Sequence, residues 1–283
     1  MPLPASTVDL HAHSTASDGT LAPDALVAAA AAAGVRSFAL TDHDTVDGLD
    51  AAAQAAQSHG LRLVPGVELS VNCAQKTLHV VGLGIDPACA TLTDGLRQQQ
   101  VRREHRAASI ATKLEMLGVS DALDKAAALA GGGQITRTHF ARLLVAEGRC
   151  KSLKKAFERY LGAGKPAYAG VEWATLDEAI RWIHAAGGRA VLAHPLHYKL
   201  SSGGRERVYA AFRDAGGDAI EVCSGNSSVA DAARLADDAR RHGLRASIGS
   251  DFHGPEQVWL GLGRLLPPPP DLEPVWHAPG WAD

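Results

Sequence analysis

The chain has 283 residues, enough for one large α/β domain or for one domain that carries a sizeable insert. Hydrophobic residues make up 46% and charged residues 21%, which is the mixture of a globular protein with a packed core. The formal net charge of −3 excludes a global basic field that would draw the protein to nucleic acid or membranes. A small polyanionic ligand could still bind at a local site.

The N-terminus and the cysteines bear on the compartment. Met1 to Pro4 leads directly into a strand-like segment, without the basic and apolar regions of a signal peptide. The alanine run 28–33 is too short to cross a bilayer. The four cysteines are far apart and form no CxxC pair, which favours reduced thiols. We therefore expect a cytoplasmic protein with no membrane partner and no obligatory protein partner.

Short apolar, β-branched runs alternate with helical patterns along the chain. The predicted strands are 8–10, 37–40, 61–64, 78–83, 190–193, 219–222 and 246–248. Helix ends separate several of them: Pro23 opens an alanine-rich helix that Gly34 closes, and a capping box spans Thr175 to Glu178. Repeated strand–helix–strand units favour mainly parallel strands with right-handed crossovers. The pattern predicts an α/β fold, a distorted or incomplete barrel.

One connection differs from the others. The residues between Glu68 and Leu78 are too few for a crossover helix, which needs roughly a dozen residues or more. We therefore expect a β-hairpin, which would bring His79 next to Glu68.

The middle of the chain interrupts the strand–helix alternation. Helices are predicted at 94–117, 121–130, 138–147 and 153–161, with no convincing strand among them. We expect residues 93–166 to form a helical insert that covers an active site. Residues 1–92 and 167–266 would then form the barrel, and residues 267–283 a C-terminal extension on its surface.

Metal-ligand residues follow the predicted strands at their carboxyl ends, where barrel folds place their chemistry. His11 and His13 end the first strand and face the same way, because side chains alternate along a strand. Each such residue alone would more often be packed or solvated, but their coincidence on one face favours a metal centre. The predicted ligands are His11, His13, Asp18, His43, Glu68, His79, His194, Asp251 and His253.

The donor set limits the choice of metal. Imidazoles and carboxylates without thiolates suit Mn²⁺, Zn²⁺ or Fe²⁺ better than copper or an iron–sulfur cluster. We expect two or three divalent ions, with Mn²⁺ preferred and Zn²⁺ or Fe²⁺ as alternatives. Such ions lower the pKa of a shared water molecule and hold phosphoryl oxygens during in-line attack.

The ordered motifs resemble one family. HAHSTASDGT, LTDHDT, GVELS, LHVVGLGI, AHP and GSDFH extend from His11 to His253 and resemble the PHP (polymerase and histidinol phosphatase) family. The resemblance implies a distorted (β/α)₇ barrel with a di- or trinuclear metal centre. It assigns His11, His13, Glu68 and Asp251 to one ion, Glu68, His79 and His194 to a second, and Asp18, His43 and His253 to a third. Other members have histidine where this chain has Asp18, so the third site would be weaker or would favour Mn²⁺.

Motifs in the insert narrow the choice of function within the family. QITRTHFA and AFERYLGAGKPAY resemble stand-alone phosphatases that act on nucleoside 3′,5′-bisphosphates, such as adenosine 3′,5′-bisphosphate. The resemblance implies that a hydroxide bridging the metal ions releases the 3′-phosphate and leaves the 5′-monophosphate. His43, His194 and Asp18 are the candidate catalytic residues, and either histidine or a metal-bound water would protonate the leaving oxygen.

Several other functions stay open. They are a 5′→3′ exonuclease on short oligonucleotides, a histidinol phosphatase, an inactive metal-bearing module, and an amide-hydrolysing enzyme, whose usual carboxylated lysine has no convincing candidate.

Arginines could hold a second phosphate of a small nucleotide substrate. Arginine grips phosphate with a planar, bidentate fork, and a helix N-terminus adds backbone donors. The alternative is that these side chains form a solvated helix face. The predicted substrate-binding residues are Arg102, Arg103, His105, Arg106, Thr136, Arg137, Asn226 and His253.

Overall fold

An eight-stranded sheet forms the centre of the computed structural model, which describes residues 6–225, 227–257, 260–279 and 281. Seven strands follow the order β1-β2-β3-β4-β6-β7-β8, and β5 pairs with β3. The strands are β1 (Val8–Asp9), β2 (Ser37–Leu40), β3 (Arg62–Cys73), β4 (Lys76–Leu83), β5 (Ala174–Thr175), β6 (Arg189–Leu192), β7 (Ala219–Ser224) and β8 (Arg245–Gly249).

The first and last strands approach each other and nearly close the sheet. Leu10 N donates to Ile248 O at 3.1 Å, and Asp251 N donates to His11 O at 2.9 Å. All neighbouring strands on the path are parallel except the pairs that include β4. The predicted distorted seven-stranded barrel is confirmed.

The predicted hairpin is also confirmed. Strand β4 pairs antiparallel over its whole length with residues 66–73 of β3, from Gly66 opposite Leu83 to Cys73 opposite Lys76. The prediction ended the third strand too early, because pairing with β4 carries β3 past Glu68. The short strand β5 was not predicted.

Helices surround the barrel and form the insert. Around the barrel lie α1 (Pro23–Ala32), α2 (Leu49–His59), α7 (Leu176–Ala185), α8 (Ser202–Asp214) and α9 (Val229–His242). The insert consists of α3 (Ala90–Met116), α4 (Ala122–Ala130), α5 (Arg137–Ala146) and α6 (Leu153–Ala156), which continues as a π-helical turn (Phe157–Leu161). No helix in the described parts of the chain is long and apolar enough to cross a membrane.

Separate apolar clusters support the barrel and the insert. The insert has its own core, in which Leu114, Phe140 and Leu144 are fully buried. A cluster of residues from the barrel strands includes Leu10, Ala39 and Val191.

The C-terminal extension also contributes to the barrel cluster. Val275, in the 3₁₀ turn Val275–His277, is fully buried there. The extension, which we expected to lie on the surface, therefore also packs an apolar side chain into the barrel cluster, and this burial stabilises the packed arrangement.

Candidate metal centre

Glu68 lies at the centre of the predicted ligands and is fully buried on β3. Its two carboxylate oxygens face histidine nitrogens from several different strand ends. Oε1 is 3.3 Å from His11 Nε2, 2.9 Å from His79 Nδ1 and 3.0 Å from His194 Nε2. Oε2 is 3.3 Å from His13 Nε2 and 2.8 Å from His43 Nδ1.

Two further carboxylates complete the cluster. Asp251 Oδ1 is 3.5 Å from His11 Nε2 and 3.4 Å from His13 Nε2. Asp18 Oδ1 is 3.4 Å from His253 Nε2 and 3.8 Å from His43 Nε2. The structure therefore brings all the predicted ligands together, in overlapping groups of three or four with donor atoms close enough to share an ion.

The donor atoms fit divalent cations. His11 Nδ1 contacts Glu221 Oε1 at 3.0 Å, which leaves the Nε2 lone pair directed at His13 Nε2, 3.2 Å away. Glu68 Oε2 and Asp18 Oδ1 are buried and have no hydrogen-bond donor among the described residues. Buried acceptors without a donor are costly, so converging lone pairs of this kind indicate ligands for a cation.

The electrostatics keep the carboxylates ionised. Burial alone would raise the pKa of Glu68, but His79, His43 and His11 outweigh it and hold the pKa well below its usual range. The pKa of Asp18 is lowered in the same way by His43 and His253, against the effect of burial. Both side chains are therefore anionic at neutral pH and suited to bind metal.

Local backbone geometry aims two of the ligands. His194 and Asp251 follow β6 and β8 with φ of 30° and 54°, in the left-handed region that few non-glycine residues adopt. Gly249 allows the close approach between β8 and β1, because a Cβ there would lie 2.2 Å from the His11 Cβ. Turns directly after the strands therefore direct the ligands toward Glu68.

Glu221 is a buried part of the centre that the sequence reasoning missed. It lies inside β7 and is only 2% exposed. Its Oε1 accepts from His11 Nδ1, and its Oε2 accepts from the backbone N of His194 at 2.6 Å. One carboxylate thus orients a ligand from each of two predicted ion groups. The available signal was a glutamate within an otherwise apolar strand, Ala219–Ser224.

A cavity of about 600 Å³ opens above the ligands. Its lining divides into two walls, which we call the barrel wall and the insert wall. The barrel wall includes Asp18, His43, Glu68, His79, His194, Asp251 and His253, and the insert wall Arg103, Arg106, Thr136, Arg137, Thr138 and Phe157.

The sequence profile of the PHP domain matches residues 9–175. A 3′,5′-nucleoside bisphosphate phosphatase from Chromobacterium violaceum is 43% identical to this chain over 273 residues, 96% of each protein. The chain belongs to the PHP family. Its membership and this relative identify it as a hydrolase of the phosphatase class.

A second sequence relative and a solved structure are also similar to this protein over almost its whole length. A 5′-3′ exoribonuclease from Haemophilus influenzae is 44% identical, covering 95% of this chain and 97% of that protein. A solved structure from Chromobacterium violaceum, named an amidohydrolase with bound sulfate and no metal, matches with a TM-score of 0.91 and 43% identity. That match covers 96% of this chain and 95% of the solved one.

Of the predicted substrate-binding residues, the structure places Arg103, Arg106, Thr136, Arg137 and His253 in the cavity lining. It does not bring Arg102 or His105 there. Arg102 instead donates to Gln99 Oε1 at 2.8 Å, and His105 is exposed. Asn226 lies outside the described residues.

The three cavity arginines differ in how the protein already uses them. Arg103 Nε donates to Asp44 Oδ2 at 2.8 Å, and its Nη2 donates to Ser70 Oγ at 3.1 Å. Arg106 stacks over the ring of Trp173 and Arg137 over the ring of Phe157, and the buried Arg106 Nε has no hydrogen-bond partner within the described chain. Arg106 and Arg137 therefore retain donors for a ligand.

The insert wall is strongly electropositive. Burial, and then the neighbouring charges of Arg137 and Arg103, lower the pKa of Arg106 well below its usual value. Burial is also the main cause of the lowered pKa of Arg137. Like charges held together in a partly buried wall favour an anionic ligand that would neutralise them.

Proposed function

We propose that the protein removes the 3′-phosphate from nucleoside 3′,5′-bisphosphates, such as adenosine 3′,5′-bisphosphate, giving the 5′-monophosphate and phosphate. The observation that carries the proposal is the pair of facing walls in one cavity, a cluster of metal ligands opposite Arg106 and Arg137. A substrate with two phosphates can engage both walls at once. The name of the Chromobacterium violaceum phosphatase supports this assignment.

Two or three divalent ions complete the proposed centre, with Mn²⁺ preferred and Zn²⁺ or Fe²⁺ as alternatives. Glu68 and the eight histidines and carboxylates clustered around it, including His11 and His13, would hold these ions. When bound, such ions supply an activated water molecule and neutralise charge on the phosphoryl oxygens.

The residues of the chain account for substrate orientation. Arg106 and Arg137 bind the 5′-phosphate through charge-assisted hydrogen bonds, which places the 3′-phosphorus over Glu68 and its neighbours. Water attacks this phosphorus, the bond to the ribose 3′-oxygen breaks, and that oxygen takes up a proton. His43 and His194 line the cavity and are the proposed proton donors, while Asp18 helps to hold the third ion.

The proposal also includes a role for the insert as a cap and a location in the cytoplasm. Residues 93–166 cover the active site as a cap on the barrel formed by 1–92 and 167–266, with 267–283 as the extension. The four cysteines are unpaired, which favours a reducing cytoplasmic compartment. No obligatory protein partner is proposed.

A substrate panel tests the function. Protein loaded with Mn²⁺ should release phosphate from adenosine 3′,5′-bisphosphate with a kcat/KM about 10²-fold above that for adenosine 3′-monophosphate, because the second phosphate adds charge-assisted hydrogen bonds of about 1.5–3 kcal/mol each. The control is the same protein after treatment with a chelator. Absence of phosphate release from the bisphosphate would reject the proposal.

An exonuclease is the second candidate, and the exoribonuclease from Haemophilus influenzae favours it. A short 5′-phosphorylated oligonucleotide could place its terminal phosphate against the same arginines and its first phosphodiester over Glu68. Histidinol phosphate, which has one phosphate and no nucleoside, belongs in the panel as a third substrate. Preferential cleavage of a 5′-phosphorylated trinucleotide would favour the exonuclease over the bisphosphate phosphatase.

A further inference from the structure

Asp18 lies where the barrel meets the insert, and its two carboxylate oxygens face different partners. Oδ1 faces His253 and His43, and no donor among the described residues hydrogen-bonds to it. Oδ2 accepts from Thr138 Oγ1 at 2.8 Å and from Thr136 Oγ1 at 3.2 Å. One oxygen is thus held by the insert while the other is left for a cation.

The same helix of the insert also holds the backbone at this position. Arg142 Nη2 donates to the carbonyl oxygen of Asp18 at 2.8 Å. Thr136 is the N-cap of α5, and a capping box with His139 fixes its position. Thr136, Thr138 and Arg142 therefore come from the N-cap and the first six residues of one helix and converge on one barrel residue.

We propose that helix α5 of the insert completes the third metal site by positioning Asp18, and that this links occupancy of the site to binding of the distal phosphate at Arg137. Thr136 and Thr138 act as positioning residues, because their hydroxyls donate to Oδ2 of Asp18, while Oδ1 faces His43 and His253. The inference rests on the metal centre of the proposed function, and its link to Arg137 also rests on the proposed binding of a phosphate there.

The first two ion groups do not share this dependence. Their ligands follow or lie within β1, β3, β4, β6 and β8, and Glu221 supports them from β7. Asp18 instead lies in the loop after β1, and the insert supplies both donors to its Oδ2. Loss of a group that orients a ligand typically lowers metal affinity about 10- to 100-fold, so only the third ion should weaken when the insert hydroxyls are removed.

The link to the substrate follows from the position of Arg137. It lies between Thr136 and Thr138 in the first turn of α5, and it lines the cavity from there. An anion that fixes Arg137 also fixes the turn that holds Asp18. Because coupling between two binding sites is reciprocal, an ion bound at Asp18 should in turn tighten binding of the anion.

The first test measures metal binding without turnover. Equilibrium dialysis against Mn²⁺ should find three ions on the wild-type chain. Thr138→Val keeps the shape of the side chain but removes the hydroxyl, and it should raise the dissociation constant of the weakest ion at least about 10-fold while the other two ions bind as before. Asp18→Asn should lose the third ion altogether.

Thr112→Val is the matched control, because Thr112 is exposed on α3 of the insert and its hydroxyl bonds only within that helix. Melting curves recorded with a chelator should be the same for Thr138→Val and the wild type. The proposal is overturned if the wild type binds only two ions. It is also overturned if Thr138→Val binds the third ion normally, or if all three ions weaken equally.

The second test uses adenosine 5′-monophosphate as the probe, since it carries the distal phosphate and the proposed reaction leaves it intact. Its affinity should rise at least about 5-fold when the third ion is loaded, and this gain should disappear in Thr138→Val. Equal affinity at two-ion and three-ion loading would overturn the coupling. Neither test requires hydrolysis, so failure of the proposed function would show separately in the substrate panel.

Discussion

The two walls of the cavity are built in different ways. The barrel wall presents imidazoles and carboxylates from strands that share one hydrogen-bonded sheet, and its central residue, Glu68, is fully buried. The insert wall presents arginines and threonines from helices that pack around a separate apolar core. In the proposed function the barrel wall carries out the chemistry, and the insert wall selects the substrate. Changes on the two walls should therefore have separable effects.

Glu68→Gln should have the largest effect, because it should impair hydrolysis of both the nucleoside bisphosphate and a simple phosphate ester. The substitution removes the negative charge that faces the nitrogens of five histidines, so the centre can no longer bind its ions. Bound ions contribute several kcal/mol to the transition state, so activity should fall at least about 10³-fold on both adenosine 3′,5′-bisphosphate and phenyl phosphate. Phosphate release measures the loss of activity, and elemental analysis measures the loss of bound metal.

Glu206→Gln, at an exposed carboxylate on α8, is the control for the charge change. A Glu68→Gln protein that retains its full metal content would show that Glu68 is not a shared ligand.

Arg137→Ala should affect only one of the two substrates. Because Arg137 belongs to the insert wall, kcat/KM for the bisphosphate should fall about 10²-fold, while phenyl phosphate, which has no second phosphate, should be hydrolysed almost as before. Arg102→Ala is the matched control, since Arg102 is not brought to the cavity. An equal fall in kcat/KM for the bisphosphate and for phenyl phosphate would show that the insert wall does not act in substrate selection alone.

Much of the metal centre could be predicted because strands impose simple rules. Side chains alternate along a strand, and parallel strands end at the same edge, so His11, His13 and Asp251 could be placed together without a structure. The short connection before His79 allowed only a hairpin. Glu221 escaped because a single glutamate inside a strand has no motif, and its role depends on contact with His11 and His194 across the barrel.

The insert wall was harder to predict because a helix offers several faces. On α3, Arg102, Arg103 and Arg106 are all plausible phosphate ligands from the sequence. Packing against Trp173 and Asp44 turns only Arg103 and Arg106 toward the cavity. The burial of Val275 escaped for a related reason, since no periodic pattern surrounds it and its partners are distant in sequence.

Glu221→Gln tests whether the hydrogen bonds of Glu221 position the metal ligands His11 and His194. The amide can still accept from one partner, but it is a weaker acceptor and cannot satisfy both His11 Nδ1 and His194 N as a carboxylate does. Affinity for Mn²⁺ should fall about 10-fold, with both substrates affected alike. Asp238→Asn is the control, because Asp238 is also a buried carboxylate but pairs with Arg241 on α9. Unchanged metal affinity in Glu221→Gln would mean that the ligands are positioned without it.

The smallest expected effect concerns a basic groove on the insert, away from the metal ligands. This groove has a volume of about 620 Å³, and its lining includes Arg149, Lys151, Lys155, Glu158, Arg159 and Lys165. The net charge of −3 conceals this local excess of cations. The short helical segment Leu153–Leu161 connects it to the cavity, because Phe157 lines the cavity and Arg159 lines the groove.

If oligonucleotides are substrates, the groove would contact phosphates beyond the cleaved nucleotide. Replacing Lys151 and Lys165 together with alanine should then weaken binding of a longer 5′-phosphorylated oligonucleotide a few-fold and reduce its salt dependence, because fewer counterions are released. Hydrolysis of the bisphosphate, which is too small to extend past the cavity, should stay the same and serves as the internal control. If the affinity for the oligonucleotide and its salt dependence do not change, the insert selects substrates through its cavity wall alone.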